Sequence, residues 1–242
     1  MLGSGPGTVA PSRSDVGHGL LKRVLVPAVV LWVAVAGIGY LLVDVLQVDE
    51  HQVSQAFVDV RTDQWDSITS FISSMGNTQV LMATCALIVL FIWWQSRQWW
   101  YAIVPAIALS VQVSVFLTTS LIVGRERPDV EQLDHAAPTS SFPSGHTGAT
   151  TSVYLAVALC ATRIQNTWLR VSIQVLCVLV ALGVALSRVY RGMHHPTDVI
   201  AGLLIGLTCA VIAWNWLPSR QPVSNATAPE RPASEPQVAA DR

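Results

Sequence analysis

Of the 242 residues, 52% are hydrophobic and only 12% charged, and the mean hydropathy is +0.48. Soluble domains carry about 25% charged residues, so this composition belongs to a bilayer protein. A net charge of −1 with no basic cluster leaves no footprint for nucleic acid. The four cysteines (Cys85, Cys160, Cys177 and Cys209) lie singly inside apolar runs, a pattern that supports neither a disulfide framework nor a metal site.

In chain order, residues 1–21 are rich in Gly, Ser and Pro and read as a disordered tail. Six apolar spans follow, near 24–46, 78–95, 98–123, 146–162, 168–187 and 196–217. Most reach the ~20 residues that cross the hydrocarbon of a membrane. Ala34-Val35-Ala36 resembles a signal-peptide cleavage site, but the apolar run continues to Leu46 and reads as a retained helix. Residues 218–242 are Pro/Ala/Ser-rich and read as a second disordered tail. The expected fold is therefore an all-α, polytopic membrane bundle of six transmembrane helices at 22–217.

Lys22, Arg23, Arg97, Arg163 and Arg170 flank the spans on one side, whereas segment 47–77 is acidic. The positive-inside rule then puts both termini in the cytoplasm and loops 47–77, 124–145 and 188–195 outside. Seven of the nine tryptophans (93, 94, 99, 100, 168, 214 and 216) fall at the cytoplasmic boundary of that layout. Val53, Phe57, Val60, Ile68, Phe71 and Met75 recur at helical spacing within 47–77. They predict an amphipathic helix, either lying at the membrane interface or packed on the bundle.

Three polar stretches share the outer face: "GRERP" (124–128), "PSGH" (143–146) and "SRVYRGMHHPTD" (187–198). Arg125, Arg127 and Arg188 are suited to bidentate phosphate contacts. Ser144 and Gly145 open a helix, where free N–H groups and the helix dipole attract an anion. His194 and Asp198 stand four apart, so one helical turn can bring the carboxylate to the imidazole and fix its tautomer. His146, at a helix mouth beside the bound anion, is placed to protonate a leaving oxygen. Singly, His146 reads as a helix cap, Arg188 and Arg191 as residues snorkelling to headgroups, and His195 as a loop contact. The joint spacing favours a site.

These stretches resemble the signature of the type 2 phosphatidic acid phosphatase family, which also includes vanadium haloperoxidases. That signature reads K-x6-R-P, P-S-G-H and S-R-x5-H-x3-D. The second part matches in full at Pro143–His146, and the third at Ser187, Arg188, His194 and Asp198. The first matches at Arg127-Pro128, but Ser120 stands where the lysine is expected. The resemblance implies His194 as the nucleophile forming a phosphohistidine, Asp198 as its partner and His146 as general acid. It implies Arg127, Arg188, Ser144 and Gly145 as phosphate ligands, without metal or cofactor. Arg125 is the candidate replacement for the missing lysine.

The expectation is an integral membrane lipid phosphatase acting at the outer surface, with the lipid phosphate and the bilayer as its partners. Polyprenyl diphosphate leads as substrate, then phosphatidylglycerol phosphate or phosphatidate. Transfer to an alcohol acceptor is the alternative chemistry, and vanadate-dependent halide oxidation is disfavoured because that branch is typically soluble. An anion channel or transporter would place charges deep in the spans, and spans two, four and six have none in mid-membrane.

Overall fold

The computed structural model describes residues 10–135 and 138–218, and every regular element among them is helical. Most of the two tails read as disordered lies outside the described residues. The described part of the first is helical: Ser12 and Asp15 form a reciprocal capping box and start α1 (Arg13–Gly19). A π-type turn at Leu20–Leu25 joins α1 to α2 (Val26–Tyr40), and a second at Leu41–Val45 ends the run. Together they form one apolar helix from Ser14 to Val45, starting earlier than the hydropathy alone implies.

The segment expected to be a single amphipathic helix is two, α3 (His51–Asp59) and α4 (Asp63–Ser74). Arg61 breaks it by giving its guanidinium to the carbonyls of Tyr190 and Glu131, and Thr62 then caps α4 through the Trp65 N–H. Both helices pack on the bundle, yet the side they bury is polar: Ser54, Thr69 and Ser73. Trp65, Ile68 and Phe71 (72% exposed) face outward. Val53 and Val60 are exposed as well, so most of the apolar pattern is turned outward, whereas Phe57 packs against Ala185, Val189 and Val199 and the hydroxyls are turned toward the interior.

The remaining helices are α5 (Thr78–Ser96), α6 (Trp99–Ala102), α7 (Val104–Val123), α8 (Gly145–Ala161), α9 (Thr167–Tyr190) and α10 (Pro196–Asn215). Among the described residues, five helices are long and apolar enough to cross a membrane: Ser14–Val45, α5, α7, α9 and α10. The remaining expected span, the fourth in chain order, is α8, which has 17 residues, or roughly 25 Å at 1.5 Å per residue. It lies between α7, α9 and α10 and buries Thr147, Thr150, Thr151 and Ser152. A helix wrapped in protein can carry hydroxyls that a lipid-facing helix cannot.

Close approach of α8 and α10 depends on small residues. A Cβ at Gly206 would sit 2.5 Å from Thr151 Cβ and 2.6 Å from the Gly148 carbonyl. Gly202, one turn earlier, meets the Ser144 carbonyl at 2.9 Å in the same sense. Such small-xxx-small stripes let membrane helix backbones touch. Around them lies the apolar core of Val104, Ala108, Val115, Ala156, Ile205 and Cys209. The other end of the bundle is closed by Tyr101, whose hydroxyl donates to the Cys160 carbonyl at 2.5 Å beneath the Arg163 guanidinium.

Candidate active site

The ends of α4, α7 and α9 and the starts of α5, α8 and α10 meet at one end of the bundle and bring the three polar stretches together. Arg191 fastens the connecting loop. Its guanidinium donates to both Asp134 oxygens, at 2.9 and 2.6 Å, and to the Leu133 carbonyl at 3.0 Å. Gly192 follows at φ +69°, where a Cβ would lie 2.7 Å from the Glu131 carbonyl, so this turn demands glycine.

His194, 4% exposed, donates Nδ1–H to the Ser141 carbonyl at 2.8 Å. A carbonyl can only accept, so the tautomer is set and Nε2 keeps its lone pair. Asp198 Oδ2 stands 3.8 Å from the same nitrogen, close enough to favour an imidazolium by charge but too far for a hydrogen bond. The i, i+4 spacing therefore brings the pair together as expected, while the direct partner of the ring is a backbone carbonyl. Burial pushes the His194 imidazole below its ordinary range, against the opposing pull of Asp198.

Asp198 is fully enclosed, and its oxygens are filled from all sides. Oδ1 accepts from Arg125 at 2.6 Å; Oδ2 accepts from the Ser141 hydroxyl at 2.5 Å and the His195 N–H at 2.9 Å. The other arm of Arg125 donates to Glu50 Oε2 at 3.0 Å, and Glu50 also receives the Thr197 N–H at 3.0 Å. Arg125 is consequently spent on two buried carboxylates and does not line the cavity. Its expected place as a phosphate contact is thus taken by carboxylates in this structure, and at the position of the absent lysine Ser120 donates to the Leu117 carbonyl.

A cavity of about 370 Å³ collects the other expected residues. Arg127, Arg188, His146, His194 and Gly145 line its polar end. Leu81, Met82, Leu109, Val113, Phe116 and Leu117 form the apolar wall. Met82 and Leu117 are also exposed on the outside of the bundle, so the cavity reaches the apolar surface between α5 and α7. A second, polar cleft of about 280 Å³ lies under α4, against Ser70, Ser73, Ser74 and Asn77, and shares His135, His146 and Arg188 with the first. Ser144 lines neither: its N–H donates to the Asp198 carbonyl at 3.0 Å and its hydroxyl pairs with Thr147 at 2.9 Å. Of the expected P-S-G-H donors, the cavity thus receives Gly145 and His146 only. His195 is also outside it.

Arg127 is half-buried, with one arm on the Met193 carbonyl at 2.7 Å, and burial lowers its pKa from the ordinary arginine value. Arg188 is buried against Ser73 and Asp134, each at 2.8 Å, with its Nε unpartnered among the described residues. Although burial works the other way, Arg191 and Arg188 hold the Asp134 carboxyl below the usual carboxylate range. Glu50, Asn77, Asp134 and Ser141 were not singled out by sequence. Ser141 adjoins the P-S-G-H stretch and was the most findable; Glu50 lies far from Asp198 in sequence, and no spacing rule joins them.

Residues 101–222 match the PAP2 superfamily. The chain is similar to the Escherichia coli protein YbjG, named as an undecaprenyl-diphosphatase, with 35% identity over 134 residues, 52% of this chain. It spans 64% of the length of that relative. It is also 25% identical to phosphatidylglycerophosphatase B of Bacillus subtilis over 67% of this chain and 80% of the relative. The crystal structure of a transmembrane PAP2-type phosphatidylglycerolphosphate phosphatase from Bacillus subtilis superimposes with a TM-score of 0.67 at 22% identity, covering 78% of this chain and 92% of that one. That likeness shows a shared fold, and with the superfamily match over half the sequence the conclusion is direct: the chain belongs to the PAP2 superfamily.

Proposed function

We propose that the protein is an integral membrane phosphatase that hydrolyses lipid phosphates or diphosphates through a phosphohistidine on His194. One observation carries this reading: a single cavity joins Arg127, Arg188, His146 and His194 to an apolar wall open to the lipid-facing surface. A phosphate can rest at the polar end while its acyl or prenyl chain leaves sideways between α5 and α7.

In this mechanism Arg127 and Arg188 hold the phosphoryl oxygens, aided by the unpaired N–H groups that open α8 at Gly145. Their fixed charge stabilises the transition state. His194 Nε2 attacks phosphorus while its Nδ1–H stays on Ser141. The P–O bond to the lipid breaks, and the departing oxygen takes a proton from His146. Water then attacks the phosphohistidine and gives its proton to His146 as the N–P bond breaks and phosphate departs. Asp198 stabilises the charge that develops on His194.

Polyprenyl diphosphate is the favoured substrate, supported by the undecaprenyl-diphosphatase name of the Escherichia coli relative. Attack at the terminal phosphorus would release a lipid monophosphate. Phosphatidylglycerol phosphate and phosphatidate come next. We place the site on the extracytoplasmic face and both termini in the cytoplasm on the distribution of basic residues, with α8 as the fourth of six spans. The test is phosphate release by purified protein in detergent from a panel of lipid mono- and diphosphates with EDTA present. Release from prenyl diphosphate supports the reading, and failure on every lipid phosphate overturns it. If an added alcohol captures the phosphoryl group in preference to water, the protein is a lipid phosphotransferase instead.

A further inference from the structure

Asn77 occupies the N-cap of α5, where asparagine is among the preferred residues because its side chain can accept an N–H of the first turn. Here it makes no such bond. Its carboxamide oxygen instead accepts the Nε2–H of His146 at 3.0 Å, across 69 residues of sequence. This is the one side-chain hydrogen bond that His146 makes among the described residues. The preceding residue is shaped for the same contact: a Cβ at Gly76 would lie 3.2 Å from His146 Cδ2. The Cδ2–Nε2 edge of the ring is therefore seated on the α4–α5 junction, and Nδ1 is the nitrogen left uncommitted.

We infer that Asn77 is the positioning residue of the general acid, holding His146 in the Nε2–H tautomer so that proton transfer runs through Nδ1. The inference rests on the acid role given to His146 above. When the P–O bond of the substrate breaks and the N–P bond to His194 forms, the imidazolium gives its Nδ1 proton to the departing oxygen. The ring is left neutral with Nε2–H still on Asn77. When water attacks the phosphohistidine, its proton returns to Nδ1.

A carboxamide orients the ring without adding charge. The charged and titratable groups facing His146 are Arg188 from α9, Arg127, Asp134 and His135 from the loop before α8, and His194 before α10. Among these, Asp134 is already committed to Arg188 and Arg191. A carboxylate in place of Asn77 would favour the imidazolium and raise the pKa of the acid.

The test compares dodecyl phosphate, whose alkoxide leaves poorly, with p-nitrophenyl phosphate, whose phenolate needs little protonation. Asn77→Ser retains capping ability but cannot reach the ring, and it separates positioning from helix stability. Asn77→Ser and Asn77→Ala should each lose about tenfold in kcat/KM on dodecyl phosphate and little on p-nitrophenyl phosphate, a fraction of the 10²–10⁴ that general acids contribute. Asn77→Asp should retain activity and move the alkaline limb of the dodecyl phosphate profile upward. Equal losses on both substrates, no loss in Asn77→Ser, or an unmoved limb in Asn77→Asp would overturn the inference. His146→Ala is the control for the underlying reading. If it shows the leaving-group dependence and Asn77→Ser does not, only the positioning role fails; if His146→Ala lacks it, the acid assignment fails first.

Discussion

Arg125 and Asp198 form a 2.6 Å ion pair in which both side chains are buried. Arg125 also holds Glu50 at 3.0 Å, so the carboxylate beside His194 is fixed by a clamp of buried charges. Removing one member of a buried pair leaves an uncompensated charge and costs about 3–5 kcal/mol. Arg125→Ala should therefore lower the unfolding temperature in detergent and reduce kcat, without weakening competitive inhibition by inorganic phosphate. Arg127→Ala should do the reverse, with near-normal thermal stability and weaker inhibition by phosphate. Restoration of Arg125→Ala activity by Ser120→Lys would show that Arg125 does contact phosphate after all.

The pH dependence has a definite sign. Burial holds the His194 pKa below the ordinary value of about 6.5. The ring is reactive when neutral, and a depressed pKa preserves that form to lower pH. The acidic limb of kcat/KM should consequently fall below pH 6.5. Asp198→Asn removes a charge that favours the imidazolium and should move the limb lower still while reducing the rate. Comparing the two enzymes on one substrate cancels the ionisation of the phosphate itself. An upward move in Asp198→Asn would contradict this account.

Packing of α8 on α10 gives a stability prediction with an internal control. Gly206→Ala places a methyl 2.5 Å from Thr151 Cβ and against backbone that cannot yield, and overpacking of this kind costs about 1–3 kcal/mol. Gly37→Ala, with nothing within 4 Å of the added methyl, should be neutral or slightly stabilising through helix propensity. Thermal unfolding of the two variants in detergent measures the difference.

How much of this was legible beforehand differs from element to element. The lipid-facing helices were, because Val29, Val30 and Val33 carry hydropathy that nothing else requires. The start of the first helix was less so, since the Ser12–Asp15 box lies in a polar stretch. Helix α8 was legible as the apolar run 146–162, although its burial among other helices was not, and the α3–α4 break depends on where Arg61 finds carbonyls. Within the site, Arg127, Arg188, His146 and His194 were found by spacing and share one cavity. Arg125 and Ser144 were placed there by the same reasoning and are engaged elsewhere. Spacing identifies which residues gather at one end of a bundle; which way each side chain turns is decided by partners such as Glu50, remote in sequence.

The membrane orientation can be read with single cysteines, since the four native ones are buried. Gln132 and Gln165 are exposed on loops between opposite pairs of helices. Gln132→Cys should react with an impermeant thiol reagent added to intact cells, and Gln165→Cys should not. The opposite pattern would put the site in the cytoplasm and remove extracytoplasmic lipid diphosphates as substrates.

The phosphohistidine itself is the most direct test. Enzyme mixed with lipid substrate carrying a radiolabelled terminal phosphate, and quenched in alkali within a turnover, should carry acid-labile, base-stable label on the peptide containing His194. His194→Ala should abolish both the label and turnover, by about 10⁴-fold or more. His195→Ala should keep both, because His195 lies outside the cavity and its backbone N–H and carbonyl, which the substitution keeps, hydrogen-bond Asp198. Full turnover with no label at any time, or label that persists in His194→Ala, would contradict nucleophilic catalysis by His194.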